Sequence, residues 1–156
     1  MSQVPKPVRP SIKAIIVRYA QLLVIANRNA AGETFYILPG GGQEPLESAL
    51  EALQRECLEE IGVSVRVGAL LYVRDYIAKN HEFAHESPLF HGLELMFECN
   101  LEAGLEPQTG TVPDEWQTGV MWLPLERLPE LPFYPRALRE LLARGDRSCV
   151  YLGDVN

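Results

Sequence analysis

The segment from Gly41 to Val63 constrains this chain more than any other, because it sets a glycine-rich turn directly before a helix crowded with acids. At about 100° per residue, Glu56, Glu59 and Glu60 fall within roughly a 100° arc. Like charges three and four residues apart repel and weaken a helix. They need either water around them or a cation among them. Hard oxygen ligands suit Mg²⁺, which keeps several waters and completes its shell with a few carboxylates and a substrate phosphate. The alternative is an ordinary solvated acidic face. The cation is favoured because Leu38-Pro39-Gly40-Gly41-Gly42 must lay backbone against that same helix. Glycines lack Cβ, so their main chain can approach an ion or a phosphate closely.

The same helix has an apolar stripe. Leu46, Ala49, Leu50, Leu53, Cys57 and Ile61 recur at three- and four-residue intervals, a spacing that predicts one packed face. Pro45 marks the expected start and Gly62 the expected stop. Glu60 then lies at the margin of the stripe, with Glu56 and Glu59 further round. Ala49 and Ala52 leave room for a ligand beside the acids.

These residues resemble the Nudix box, a pattern of Gly, five residues, Glu, seven residues, then Arg-Glu-apolar-any-Glu-Glu-any-Gly-apolar. Here it reads Gly41, Glu47, Arg55, Glu56, Cys57, Glu59, Glu60, Gly62 and Val63, with a cysteine at one apolar position. The resemblance implies an α/β fold, the α/β/α sandwich with a mixed β-sheet, and hydrolysis of a nucleoside diphosphate linked to another group. By position it makes Glu56 and Glu60 the principal metal ligands, joined by the Gly40 carbonyl. Glu59 would be a further ligand or the base that activates water. Arg55 would orient a box glutamate through an ion pair, and Glu47 would brace the loop. A base on a later loop is the other option, and there Glu115 is the candidate with Asp114 a near equal. Mg²⁺ is the implied cofactor and Mn²⁺ a substitute.

The remaining elements are coarser. Ser11 to Arg18 and Leu22 to Asn27 read as strands joined by a turn at Tyr19-Ala20-Gln21. Thr34 to Leu38 delivers the glycine loop, and Val63 to Arg74, Leu93 to Leu101 and Val120 to Leu123 read as further strands. Pro135 to Arg144 is a C-terminal helix with Leu138, Leu141 and Leu142 toward the sheet. Asp75 to His91 is long and irregular, as functional loops often are. Arg28, Arg74 and Gly41 are candidate substrate contacts. Tyr36 is the candidate stacking residue beside Tyr76, Phe83 and Phe90.

Composition sets bounds. The 156 residues suit one domain, with residues 1–10 expected as a flexible lead-in. A net charge of −7 argues against a nucleic-acid surface, which needs clustered Lys and Arg. No apolar run is long enough for a bilayer, and Met1 to Pro10 lacks a signal-peptide core. The three cysteines lack paired spacing, so reduced thiols in a cytoplasmic protein are expected. The partner is a small nucleotide, with no nucleic acid and no membrane. A homodimer, common among similar enzymes, stays open. The leading substrate is an ADP-ribose-like nucleoside diphosphate derivative, because the Glu115-Trp116 loop, Trp122 to Leu125 and the Pro-rich run Leu128 to Pro135 look like those of ADP-ribose-type members. The alternatives are a (d)NTP pyrophosphohydrolase and a catalytically silent nucleotide-binding module.

Overall fold

Alternation along the first two strands explains the layers of the fold. The computed structural model describes residues 4–156. In β1 (Arg9–Arg18), Ile12, Ala14 and Ile16 point to one side and Ile15 to the other. In β2 (Gln21–Arg28), Leu23 and Ile25 share the first side, while Leu22 and Val24 take the second. Both faces are therefore apolar, and each must be covered. Helix α1 (Ala49–Ile61) covers the first with Ala52, Leu53, Cys57 and Ile61. Helix α2 (Ala137–Arg144) helps cover the second with Leu138 and Leu142, which pack with Phe133, Tyr72 and Met96. The result is the expected α/β/α sandwich.

The sheet is mixed. Its strand order runs β8 (Phe133–Tyr134), β3 (Thr34–Ile37), β2, β1, β6 (His91–Leu101), β5 (Val65–Ile77), β9 (Tyr151–Asp154), while β4 (Gly40–Gly42) pairs with β1 and β7 (Gln117–Pro124) with β2. The β1–β6, β3–β8 and β5–β9 pairs are parallel and the others antiparallel. Strand β1 joins the two halves: Arg9 to Ile16 pair with β6, and only Val17 and Arg18 with β2.

Several expectations shift. Helix α1 begins after Ser48, not at Pro45. The Ser48 hydroxyl accepts from the Glu51 N–H while the Glu51 carboxylate accepts from the Ser48 N–H, a capping box that fixes the first turn. Leu46 therefore lies before the helix, fully exposed with φ of 70°, and Leu50 is also exposed. Ala52 is core and leaves no ligand room. The lead-in is shorter than expected: Val4 to Val8 are exposed and outside any strand, but Arg9 and Pro10 already belong to β1. For residues 1–3 the expectation lies outside the described residues. Strand β5 extends three residues beyond Arg74, to Ile77. Cys57 and Cys99 are buried free thiols and Cys149 is exposed. Among the described residues, no helix is long and apolar enough to cross a membrane.

Candidate active site

The glycine loop and the acid helix meet because β4 lies antiparallel to β1, opposite Ser11, Ile12 and Lys13. Gly40 has φ of 133°, and a Cβ there would sit 2.0 Å from the Ile12 carbonyl oxygen. No other residue fits. Gly41 faces the helix, and a Cβ on it would lie 2.6 Å from the Glu56 carboxylate. Its absence makes the space Glu56 occupies.

Arg55 organises the acids. Its Nε and Nη2 donate to the two Glu47 oxygens at 3.1 and 2.7 Å, its Nη1 to Glu56 at 3.0 Å and Glu59 at 3.4 Å, and its Nη2 also to the Gly42 carbonyl at 3.0 Å. The fork geometry is particular to guanidinium. Arg55 holds the Glu47 carboxyl below the usual carboxylate range, helped by the Glu44 N–H. Glu56 is pushed upward by burial, against the pull of Arg55.

Glu60 stands apart from that cluster. It is 2% exposed, and its carboxylate accepts from the Gly40 N–H at 3.0 Å. Burial pushes its pKa up to about 8, opposed by the Lys13 ammonium and the Gly40 N–H and reinforced by Asp114 and Glu56. Lys13 Nζ donates to the Gly40 carbonyl at 3.1 Å. Sequence reasoning missed Lys13; its only signal was a lone charge between Ile12 and Ala14 in a strand otherwise apolar there.

The donor set suits a hard divalent cation. Glu56, Glu59, Glu60 and the Gly40 carbonyl are all oxygen ligands of the kind Mg²⁺ takes, and a buried carboxylate that resists ionisation gains from a nearby cation. The acids do not yet converge: among the described residues no three His, Cys, Asp or Glu side chains form a ready metal-holding group. Arg55 holds two of them, and Glu60 turns to Gly40.

The later loop is fixed to the helix end by its backbone. The N–H groups of Gln108, Gly110 and Val112 donate to the carbonyls of Ile61, Glu60 and Glu59, and the Gln117 side chain also donates to the Glu60 carbonyl. The last-turn carbonyls of α1, unpaired within a helix, are satisfied in this way. Glycine is needed at 110, where a Cβ would fall 2.2 Å from the Glu59 carbonyl oxygen. Asp114 and Glu115 are both exposed on this loop, and the Asp114 charge helps raise the Glu60 pKa.

The candidate substrate contacts separate. Arg28 ends β2 and lines a cleft of about 770 Å³ together with Phe35, Tyr76, Phe83, Trp116 and Tyr134. Tyr36 points the other way, into the second core, so Phe35 takes the position expected of it. Period-two alternation is the reason. Arg74 is 7% exposed and bonded to Glu94, the Val155 carbonyl and Asn156. It holds the residues that follow β9 and is not free for a phosphate. Phe90 packs on Tyr76 at 6.2 Å.

Fold and box together define a Nudix protein. The NUDIX domain model matches residues 7–144, and the chain belongs to that family. Among its relatives, the NAD-capped RNA hydrolase NudC of Chromobacterium violaceum is 28% identical over 142 residues, covering 90% of this chain and 46% of the relative. The chain thus spans about half the length of that curated relative. The MutT NUDIX hydrolase from Burkholderia pseudomallei is similar in structure with a TM-score of 0.68 at 25% identity, covering 92% of this chain and 100% of that one. An ADP-ribose pyrophosphatase from Streptococcus suis superposes with a TM-score of 0.61 at 19% identity, covering 96% and 100%.

Proposed function

We propose that this chain is a Mg²⁺-dependent hydrolase that cleaves the diphosphate linkage of a nucleoside diphosphate derivative, with an ADP-ribose-like compound as the leading substrate. The observation that carries the reading is the single Arg55 guanidinium joining Glu47, Glu56 and Glu59 to the Gly42 carbonyl. A helix face needed only for solubility has no use for a guanidinium that locks its acids against a glycine loop.

When bound, the cation would neutralise nonbridging phosphate oxygens and lower the pKa of water. Glu56, Glu60 and the Gly40 carbonyl are its proposed ligands. Glu59, the most exposed of the three helix acids, is the proposed base. It would take a proton from the water whose oxygen bonds to phosphorus as the anhydride P–O bond breaks. A base on the later loop is the alternative, Glu115 with Asp114 a near equal, and the effect of the Asp114 charge on Glu60 supports the second. Arg55 positions these groups and Lys13 holds the Gly40 carbonyl. The ADP-ribose preference rests on the Trp116 loop and the Trp122 to Pro135 run, because the 19% likeness to the Streptococcus suis enzyme concerns the fold alone.

Chromatography of the products from ADP-ribose and from dNTPs with Mg²⁺ tests the reading. AMP and ribose 5-phosphate are expected. Inorganic pyrophosphate from a triphosphate would instead favour the pyrophosphohydrolase, and no turnover on any nucleotide would favour the silent module. Glu59→Gln should cost about 10²- to 10⁴-fold in kcat with its circular dichroism unchanged. Near wild-type turnover in both Glu59→Gln and Glu60→Gln would end the assignment.

A further inference from the structure

An ammonium in the middle of an apolar strand needs a reason. Lys13 lies among Ile12, Ala14, Ile15 and Ile16, all buried, where a charged head is costly unless it finds a partner. The apolar stem of a lysine can run along such a surface while the head reaches beyond it. Antiparallel pairing sets Lys13 opposite Gly40, and its Nζ donates to the Gly40 carbonyl at 3.1 Å. Among the described residues, Lys13 is in ion-pair contact with no carboxylate.

The two cations of the site divide its acids between them. Arg55 gives its fork to Glu47, Glu56, Glu59 and the Gly42 carbonyl. Lys13 acts on Glu60: burial pushes that carboxyl up in pKa, and the Lys13 charge is the largest force opposing it. Gly40 sits between the two, since its N–H donates to Glu60 at 3.0 Å while its carbonyl accepts from Lys13. That carbonyl is one of the oxygens suited to a divalent cation, and Lys13 already holds it. A carbonyl oxygen has two lone pairs, but an ammonium and a divalent ion sharing one would stand close together and repel strongly.

Lys13 is able to change partners and Arg55 is not. Lys13 is kept in place by a hydrogen bond to a neutral carbonyl, made from the end of a flexible four-carbon stem. The Arg55 fork is fixed by three carboxylates and a carbonyl. A compact ammonium of this kind is also a common phosphate binder. Moved off the carbonyl, it remains beside the acids, where a substrate phosphate and its cation would meet.

We propose that Lys13 is a tethered stand-in for the divalent cation, holding the Gly40 carbonyl beside Glu60 until it yields that carbonyl to the cation and turns to a nonbridging oxygen of the substrate diphosphate. The phosphate end of this exchange rests on the hydrolase reading above. Lys13 then opposes the cation when it comes alone and favours the cation and the diphosphate together, which couples the binding of the two.

Methylenediphosphonate has no P–O–P bond, so calorimetry with it measures binding without turnover. With Mg²⁺ alone, Lys13→Met should bind the ion about tenfold or more tightly than wild type, because a positive charge beside the site is gone. With Mg²⁺ saturating, the same variant should bind methylenediphosphonate about tenfold or more weakly. Lys13→Gln, also uncharged, should repeat both shifts, and Lys13→Arg should stay near wild type with Mg²⁺ alone. Damage to the fold would weaken both ligands, so the opposite signs are the signature of the exchange. Equal or weaker Mg²⁺ binding by both uncharged variants, or unchanged affinity for methylenediphosphonate, would overturn it. Absence of Mg²⁺ binding in wild type and variants alike would end the hydrolase reading and the exchange together, whereas equal Mg²⁺ binding in all of them ends the exchange alone.

Discussion

Arg55 donates to three carboxylates and one carbonyl, so its replacement separates charge from geometry. Arg55→Lys keeps the positive charge but lacks the planar fork. It should lower kcat about 10- to 100-fold, with unfolding by urea close to wild type; equal kcat would mean the glutamates hold their places without it. The box glycines act through space in two different ways. In Gly41→Ala the new methyl meets the mobile end of Glu56, so the fold should survive while calorimetric Mg²⁺ affinity drops. In Gly40→Ala the methyl meets the β1 backbone at a φ hostile to side chains, and about 3 kcal/mol or more of stability should be lost. The box spacing made Arg55, Glu56, Glu59 and Glu60 legible as a unit. Lys13 was not, because its partner Gly40 is 27 positions away and no local period links the two.

Elements with their own periodicity were legible and elements defined by their neighbours were not. Strands β1, β2 and β6 are long runs rich in apolar and β-branched residues, and sequence places them within a few residues. Strands β4, β8 and β9 have three, two and four residues, too short for a pattern, and exist only because a partner strand offers hydrogen bonds. The β1–β2 hairpin turns on Tyr19 and Ala20, both with positive φ of 51° and 57°. That conformation suits Asn-Gly and costs ordinary residues about 1–2 kcal/mol each. The double change Tyr19→Asn with Ala20→Gly should raise Tm by a few degrees in a scanning calorimeter; a lower Tm would mean Tyr19 makes a contribution its exposure hides. Strand β9 is held by Asp154, which accepts from the Ile77 N–H and from Asn80 and pairs with His81. Burial alone would raise that carboxyl, but the hydrogen bonds from Asn80, Ile77 and His81 outweigh it and leave a pKa of about 2. A depressed folded pKa gives stability that is present above the ordinary aspartate value and lost as pH falls through about 2. The stability gap between wild type and Asp154→Asn should therefore narrow between pH 4 and pH 2 in urea titrations, and a constant gap would contradict the lowered pKa.

At the scale of the whole molecule, the sandwich buries its cores on both sheet faces and, among the described residues, leaves one buried carboxylate, Glu60. A chain of net charge −7 gains nothing in stability from another buried negative charge, so the cation-free protein favours the protonated acid there. With a folded pKa of about 8 against the ordinary glutamate value in the unfolded chain, the folded state binds more protons through that interval. Stability contributed by Glu60 is then complete below pH 4.5, where both states are protonated, and declines as pH rises through about 8. Every tenfold difference in proton affinity between the folded and unfolded carboxyl corresponds to about 1.4 kcal/mol, so the decline should be measurable in EDTA by urea unfolding at pH 5, 6.5 and 8. Glu60→Gln cannot ionise and should flatten the profile. Millimolar Mg²⁺ should recover stability in the wild type at pH 8, since a ligand held only by the folded state stabilises it by mass action, and should recover far less in Glu60→Gln. Parallel pH profiles for the two proteins in EDTA would mean that Glu60 is ionised in the folded chain, with Lys13 and the Gly40 N–H outweighing its burial.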